Sequence, residues 1–578
     1  MKFNFDEIID RNNTNSTKYG TAQLMHPELP DGFIPMWIAD MDFACPQPVL
    51  DAMKARLDKR ILGYSFILDP EYYAAVVGWM KRRYDWTVDP DSIVFSGGII
   101  KALNISVQHL TKPGDGVIIQ SPVYHPFYDA AVSNGRTAVF NALIEEDGYY
   151  TIDFEDLEAK ARDPRNTLFF LCNPQNPTGR VWTEEELRRV GEICFRNNVF
   201  VVCDEIHADF RRAGQVHIPL AKLFPEEKRL ITCTAPSKIF NLAGNQLSNL
   251  IIPDPGMAMM WKYGHVCGTP NPLSVDACKA AYTLCDDWVD ELNVYLEGNL
   301  RHIKERLEKE LPALRMRVPE GTYFAWIDIR SLGISEGDAA HYLYQSGLFI
   351  EMGSEFVQNG DGFVRMNTAC PRATIDRAID ILVKCFREGN PVLAEMRTRK
   401  RLGVGDTMPD FTYRTPFAAE KTITQGLEGK PTALLFLRYY GCPVCQLDLR
   451  HLKEEYAQIE AAGGQVKVVL QSDPDKLKEQ LGSADAFPFE IICDPELKLY
   501  HRFDVSVARG RMDLLGGKTL QKSDQARAMG ITHGAYEGEE FQLPACFVVS
   551  PDLRVTYAHY GADPGNTPTP AEIAELLK

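Results

Sequence analysis

Between residues 93 and 252 the chain repeats one pattern. A short apolar run ends at glycine, proline or a charged side chain, and a helical stretch follows. The runs are 93–95, 117–119, 167–172, 199–203 and 229–233. They lack the polar alternation of a sheet with one wet face, so they read as strands buried on both sides by helices. That is an α/β unit with a mainly parallel sheet. Ligands of such sheets bind beyond the C-terminal ends of the strands. The residues at the stops are therefore the candidates for function.

At the first stop, Ser96-Gly97-Gly98-Ile99-Ile100 runs a strand into glycines and a helix start, an arrangement that suits an anion. Tyr124 follows the second strand. Asn173-Pro174-Gln175-Asn176-Pro177-Thr178-Gly179 halts both helix and strand and can hold an amide toward a ligand. Thr183 then reads as a helix N-cap. The fourth strand ends at Asp204-Glu205-Ile206-His207. A carboxylate there needs a cationic partner, and a protonated pyridine nitrogen is one. The fifth ends at Thr234-Ala235-Pro236-Ser237-Lys238, a turn of small residues around a lysine that can form a Schiff base with a cofactor aldehyde. Taken singly, Tyr124 reads as packing and Lys238 as a surface lysine. Taken in order, they read as one site.

Upstream, Asp40 and Asp42 sit inside the apolar stretch 36–43 and need partners if buried. Helical patterns cover 48–60 and 71–84, with exposed aromatics in Gly63-Tyr64-Ser65-Phe66 between them. Downstream, 273–312 reads as helical, with one long amphipathic run from Val275 into Leu311. A smaller α/β unit follows, with strands at 321–328 and 362–367 and helices near 336–346 and 373–387. Arg365 lies among apolar strand residues, either as a structural ion pair or as a fork for a substrate carboxylate.

Residues 391–402, with a basic run at 397–401, read as a linker, and a second α/β domain occupies 403–578. Its strands fall at 432–438, 465–471, 489–493 and 545–549, with a helix from near Cys445 to about Ala462. Cys442 and Cys445 stand at that helix start, where a thiol is acidified. No second Cys/His pair at ligand spacing accompanies them, so no metal site is expected.

At 578 residues the chain exceeds one core. A net charge of -17 argues against nucleic acid. No apolar run reaches the length of a membrane span, and residues 1–6 show no apolar leader, so neither a membrane nor a signal peptide is expected. The other cysteines lie scattered in apolar elements, as reduced thiols of a cytoplasmic protein do.

In chain order, Ser96-Gly97-Gly98, Tyr124, the Asn173 to Gly179 turn, Asp204 with His207, Ser237-Lys238 and Arg365 resemble the fold-type I pyridoxal-phosphate (PLP) enzymes of the class I/II aminotransferase group. Met36 to Phe43, Asp204 to His207, Ser237 to Gly244 and Arg365 to Arg372 are similar to its bacterial cystathionine β-lyase (C–S lyase) branch. The resemblance covers residues 1–390. It implies a large domain at about 46–290 and a small one from 1–45 and about 291–390. It implies pyridoxal 5'-phosphate on Lys238, with Asp204 at the ring nitrogen, Asn176 at the ring oxygen, His207 close by and Tyr124 stacked on the ring. Gly98, Ile99, Ile100 and Ser237 would hold the phosphate, joined by Tyr64 of a second subunit, so a homodimer is implied. Arg365 and Ala39 would meet the substrate. Two positions depart from many relatives: Ala235 replaces a serine and Gln246 an arginine that balances the phosphate. The implied activity is cleavage of cysteine S-conjugates to a thiol, pyruvate and ammonia. The alternative is amino transfer to a 2-oxo acid.

Gly405-Asp406-Thr407-Met408-Pro409-Asp410-Phe411, Cys442-Pro443-Val444-Cys445 and Leu543 to Val549 resemble the peroxiredoxin and thioredoxin-like superfamily. This implies a thioredoxin fold, a cis proline at 544, a redox pair of Cys442 and Cys445, and a thiol reductant as partner. Cys442 is expected to attack, the first cysteine of such a motif being the more exposed, with Cys445 the alternative that a peroxiredoxin-style alignment favours. The usual threonine three residues before a peroxidatic cysteine is missing, which leaves disulfide reduction open beside peroxide reduction.

Overall fold

Successive residues of the strand Asn166–Cys172 enter two different cores: Phe169 and Leu171 join one buried cluster, Leu168, Phe170 and Cys172 another. A strand covered on both faces is apolar at every position, which is why the runs after residue 93 show no alternation. This is seen in a computed structural model that describes all residues except 1, 27, 66–67, 398, 400, 419, 509–513 and 515. Phe66, read above as an exposed aromatic, and Thr398 and Lys400 of the basic run lie outside the described residues.

The chain forms two units, Met1–Asn390 and Pro391–Lys578. The first holds a seven-stranded sheet. Its strands are β1 (Ile93–Ser96), β2 (Gly116–Ser121), β3 (Thr137–Ala142), β4 (Asn166–Cys172), β5 (Phe200–Asp204), β6 (Leu230–Thr234) and β7 (Ser248–Ile251). The order is β1-β7-β6-β5-β4-β2-β3, parallel except for β7, which runs antiparallel to both neighbours. β3 shows no fully apolar run because only Asn141 among its residues is fully buried, unlike β1 at the other edge. Register does the positioning: Cys172 pairs with Asp204, and Asp204 with Cys233. The stops after β4, β5 and β6 therefore emerge side by side.

Helix α1 (Ile99–Leu110) starts from Gly98, whose φ of 132° only glycine adopts readily. Helix α2 (Glu184–Arg196) has the predicted cap: the Thr183 hydroxyl accepts from the Glu186 N–H at 3.2 Å, and Glu186 returns the bond to the Thr183 N–H at 2.8 Å. The run expected as one helix into Leu311 is two, α3 (Pro272–Leu284) and α4 (Asp286–Glu310). Cys285 leaves helical geometry at φ −120°, and Asp286 and Asp287 favour a new helix start there.

A second sheet follows, built from β8 (Arg315–Met316), β9 (Phe324–Asp328), β10 (Glu351–Met352) and β11 (Phe363–Asn367). Its order is β8-β9-β11-β10, antiparallel throughout. Ile34–Pro35 pairs with Leu348 and Phe349, which ties the N-terminal segment to this part of the chain.

In the other unit β12 (Thr432–Phe436), β13 (Gln465–Leu470), β14 (Glu490–Cys493), β15 (Ala545–Val549) and β16 (Val555–Tyr560) form a sheet in the thioredoxin-like order β14-β13-β12-β15-β16. β12 again divides its side chains between two cores. The helix expected to reach Ala462 breaks at Glu455 into α5 (Pro443–Glu454) and Tyr456–Ala461. The Leu543–Pro544 bond is not among the cis peptides, the trans form being the default before proline. Residues 391–402, read as a linker, contain the helix Pro391–Met396, which buries Leu393 and Met396 three residues apart on one face.

Candidate active site

One stretch of chain, residues 37–42, anchors four cations of the first unit. The Trp37 carbonyl accepts from Arg365 Nη2 at 3.0 Å. The Ala39 carbonyl accepts from Lys238 Nζ at 2.9 Å. Asp40 accepts from Arg11 Nη2 at 2.7 Å, and Asp42 from Arg11 Nη1 at 3.0 Å and Lys18 Nζ at 2.7 Å. The two acids flagged in the sequence thus have their partners. A cavity of about 710 Å³ opens here, lined by Ala39, Asp40, Tyr124, Lys238, Glu351 and Arg365 among others.

Lys238 follows β6 and is held where burial lowers its ammonium to about 8, with Asp40 opposing that shift. Asp204 ends β5. Burial raises its carboxyl to about 7, against the Ile206 N–H, which donates to it at 3.0 Å, and Lys238. Burial also holds His207 well below the usual imidazole range, so it is neutral, and its Nδ1 has no partner among the described residues.

Arg365, on β11, is 1% exposed. It donates to Asn176 Oδ1 at 2.7 Å and pairs with Glu351, its register neighbour on β10. Its guanidinium lies 4.1 Å from the Phe324 ring centre, and the same ring packs edge-on against His207. Both readings of Arg365 therefore meet at one residue: it has a structural ion pair, and it faces the cavity.

Ala39, Tyr124, Lys238 and Arg365 line the cavity. Asn176 joins them through Arg365, while Asp204 and His207 lie close enough to feel the charge of Lys238. Gly98, Ile99, Ile100 and Ser237 are not in its lining. Gly98 to Ile100 form the start of α1, with Ile100 about half exposed, and Ser237 is half-buried in the turn before Lys238. Tyr64 stands 98% exposed, away from the cavity of its own chain. Sequence reasoning missed Arg11, Lys18 and Glu351. Arg11 and Lys18 sit in a polar, unpatterned segment, and only the pairing need of Asp40 and Asp42 pointed to such cations.

In the other unit Cys442 is the N-cap of α5. Arg438 Nη2 donates to its sulfur at 3.0 Å, and Arg438 Nη1 donates to the Glu540 carbonyl at 2.7 Å. The Cys445 thiol, then Arg438 and the Cys445 and Val444 N–H groups, hold Cys442 below the usual thiol range. Burial, with Cys442 nearby, raises Cys445 well above it. The expectation that Cys442 is the more exposed fails: Cys442 is 0% and Cys445 3% exposed. The 532–540 segment lies against the motif. Tyr439 bonds Glu540 and meets His533 Nε2 at 3.2 Å, and the Gly534 N–H donates to the Gly441 carbonyl at 2.8 Å. Acidity, not exposure, separates the two thiols.

Residues 33–382 match the family Aminotransferase class I and II, and 404–558 match the AhpC/TSA family. The chain is 42% identical to cystathionine beta-lyase PatB of Bacillus subtilis (strain 168), covering 64% of this chain and 97% of that protein. Among solved structures, the PLP-bound C-S lyase from Staphylococcus hominis is 40% identical with a TM-score of 0.63, over 66% of this chain and 98% of that one. Cystalysin from Treponema denticola, solved with pyridoxal 5'-phosphate, is 35% identical with a TM-score of 0.64, over 67% and 99%. The chain belongs to the aminotransferase class I and II family, and carries an AhpC/TSA domain behind it.

Proposed function

We propose that the chain is a PLP-dependent C–S β-lyase that cleaves cysteine S-conjugates to a thiol, pyruvate and ammonia, with a thiol redox domain fused to it. The observation that carries this is Lys238: a half-buried amine, lowered to about 8, lining one cavity with Arg365 and close to Asp204. The residues present fit the cofactor. Asp204 is a buried carboxyl that takes one backbone N–H, and His207 offers a buried, unpartnered Nδ1 among the described residues. A cationic ring nitrogen and a ring oxygen are groups these side chains suit.

When bound, PLP supplies an aldehyde for an amine and a ring that accepts electrons. Lys238 Nζ, partly neutral near pH 8, takes the proton from the substrate α-carbon. Asp204 would keep the ring nitrogen protonated, Asn176 would meet the ring oxygen with His207 close by, and Tyr124 would cover the ring. Gly98, Ile99, Ile100 and Ser237 would hold the phosphate. Arg365 grips the α-carboxylate beside Ala39, with its fork already oriented by Asn176 and the Trp37 carbonyl. Tyr64 serves the site of a second copy in a homodimer, which fits its 98% exposure. All fourteen cysteines are free thiols, as expected of a cytoplasmic protein, and no helix among the described residues is long and apolar enough to cross a membrane.

In the redox domain the Cys442 thiolate attacks a peroxide, disulfide or persulfide. Cys445 then displaces the bound group to leave a Cys442–Cys445 disulfide, and an external thiol reductant restores both. Pyruvate release from cystathionine without any 2-oxo acid tests the lyase reading. Pyruvate or substrate turnover only when a 2-oxo acid is added would make the protein an aminotransferase instead.

A further inference from the structure

Arg365 cannot take a carboxylate two-pronged without giving up a bond it already has. A guanidinium offers a carboxylate either its two Nη groups or Nε with Nη2, and both edges include Nη2. The two N–H groups of Arg365 Nη2 go to the Trp37 carbonyl at 3.0 Å and to Glu351. We infer that Glu351 is the resident counter-ion of Arg365: an incoming α-carboxylate displaces it, and Glu351 leaves the guanidinium as a protonated acid. This rests on the reading of Arg365 as the carboxylate fork and names a second residue that sets how tightly the fork binds.

Of the two acceptors on Nη2, only Glu351 is free to yield. The backbone on either side of the Trp37 carbonyl is pinned. The Met36 N–H donates to the Phe349 carbonyl at 2.7 Å, and the Met36 carbonyl accepts from the Asn367 N–H at 2.8 Å. The Ile38 carbonyl accepts from Asn367 Nδ2 at 2.7 Å. The Glu351 side chain, by contrast, has Arg365 as its one hydrogen-bond partner among the described residues. It lines the cavity and stays 11% exposed. Asn176 on Nη1 keeps the fork oriented when Glu351 departs.

The surroundings decide what happens to the displaced charge. Arg365 on β11 and Lys238 across the cavity are the cations that face Glu351. Asp40, on the same cavity wall, is paired with Arg11. Burial, and then the Glu351 charge, raise Glu355 in the turn after β10 to about 8. Burial holds Tyr124 and Tyr344 above the usual phenol range and His125 below the usual imidazole range. These four groups are neutral near neutral pH and supply no replacement cation. Burial raises the Glu351 carboxyl as well, and Arg365 opposes this. Once the guanidinium turns to a substrate carboxylate, that opposition is lost. A bare carboxylate there is costly, so Glu351 takes one proton from solvent through the cavity.

The test titrates the full-length holoenzyme with propionate, a carboxylate that carries no amine. Visible absorbance gives Kd, and calorimetry in buffers of different ionisation enthalpy counts protons. Because binding takes up a proton, affinity falls as pH rises: the wild type should bind about one proton per propionate, and Kd should rise by up to about tenfold per pH unit between about pH 6 and 8. Glu351→Gln gives up the Nη2 N–H without a charge to neutralise. Its Kd at about pH 8 should be lower by about tenfold or more, flat with pH, and free of proton uptake. Weaker binding in Glu351→Gln would mean that Glu351 only steadies Arg365, and the inference fails. A wild type that binds propionate without taking up a proton overturns it with no variant needed, whatever becomes of Glu351→Gln folding. Propionate binding that is absent, or unchanged in Arg365→Lys, would sink the fork reading first, a result distinct from the proton count.

Discussion

Arg365 donates to Asn176 Oδ1 at 2.7 Å across 189 residues of chain, so one guanidinium ties the turn after β4 to the small sheet. Its other Nη group is shared between Glu351 and the Trp37 carbonyl. The fork is oriented before any substrate arrives, which lowers the ordering cost of binding. Arg365→Lys keeps the charge and loses the fork. We expect kcat/KM to fall for every amino-acid substrate by about 10- to 100-fold, the worth of one hydrogen bond to a charged group. Steady-state kinetics over several side chains check this. A loss confined to one substrate would place Arg365 at the side-chain end.

Lys238→Ala should remove the yellow colour of the bound cofactor and lower pyruvate release by about 100-fold or more, the usual range for a proton-moving group. Absorbance spectra and an assay with added amines read both effects. Unchanged turnover would remove the lysine from the mechanism.

Asp204→Asn preserves shape and removes the charge. A charge-assisted bond is about twice as strong as a neutral one, and each ~1.4 kcal/mol is tenfold in rate. Turnover should drop by at least about tenfold, with cofactor still bound. Near-normal kinetics would show that another group meets the ring nitrogen.

Cys442 is acidified chiefly by the Cys445 thiol and then by Arg438. Its thiolate fraction should therefore rise at a lower pH than the ordinary thiol value of about 8.5. The pH midpoint of its alkylation should move upward in Arg438→Met and in Cys445→Ala. Mass spectrometry of the labelled 442–445 peptide in the full chain gives the profile. A midpoint at the ordinary value in the wild type would count against Cys442 as the attacking thiol.

Tyr64 should act in the neighbouring copy. Lys238→Ala and Tyr64→Ala chains, each inactive alone, should regain activity on mixing, since half of the random dimers carry one intact site, about a quarter of wild-type sites. Mixing without recovery would confine Tyr64 to its own chain.

The strands β1, β2, β4, β5 and β6 were legible because a strand buried on both faces leaves a continuous apolar run, and the breaks after it mark the ligand edge. That local pattern also exposed Lys238, Asp204 and Asn176. β3 was not legible, because a strand with only Asn141 fully buried needs no such run. Tertiary structure alone decided the rest. Arg11 and Lys18 reach Asp40 and Asp42 across more than twenty residues, and Glu351 meets Arg365 through strand register. Arg438 joins Cys442 to Glu540, about a hundred residues on, and Cys442 is buried where the motif implied the more exposed thiol. Propensity and periodicity act over a few residues, whereas charge pairing and burial depend on which distant segments the fold brings together.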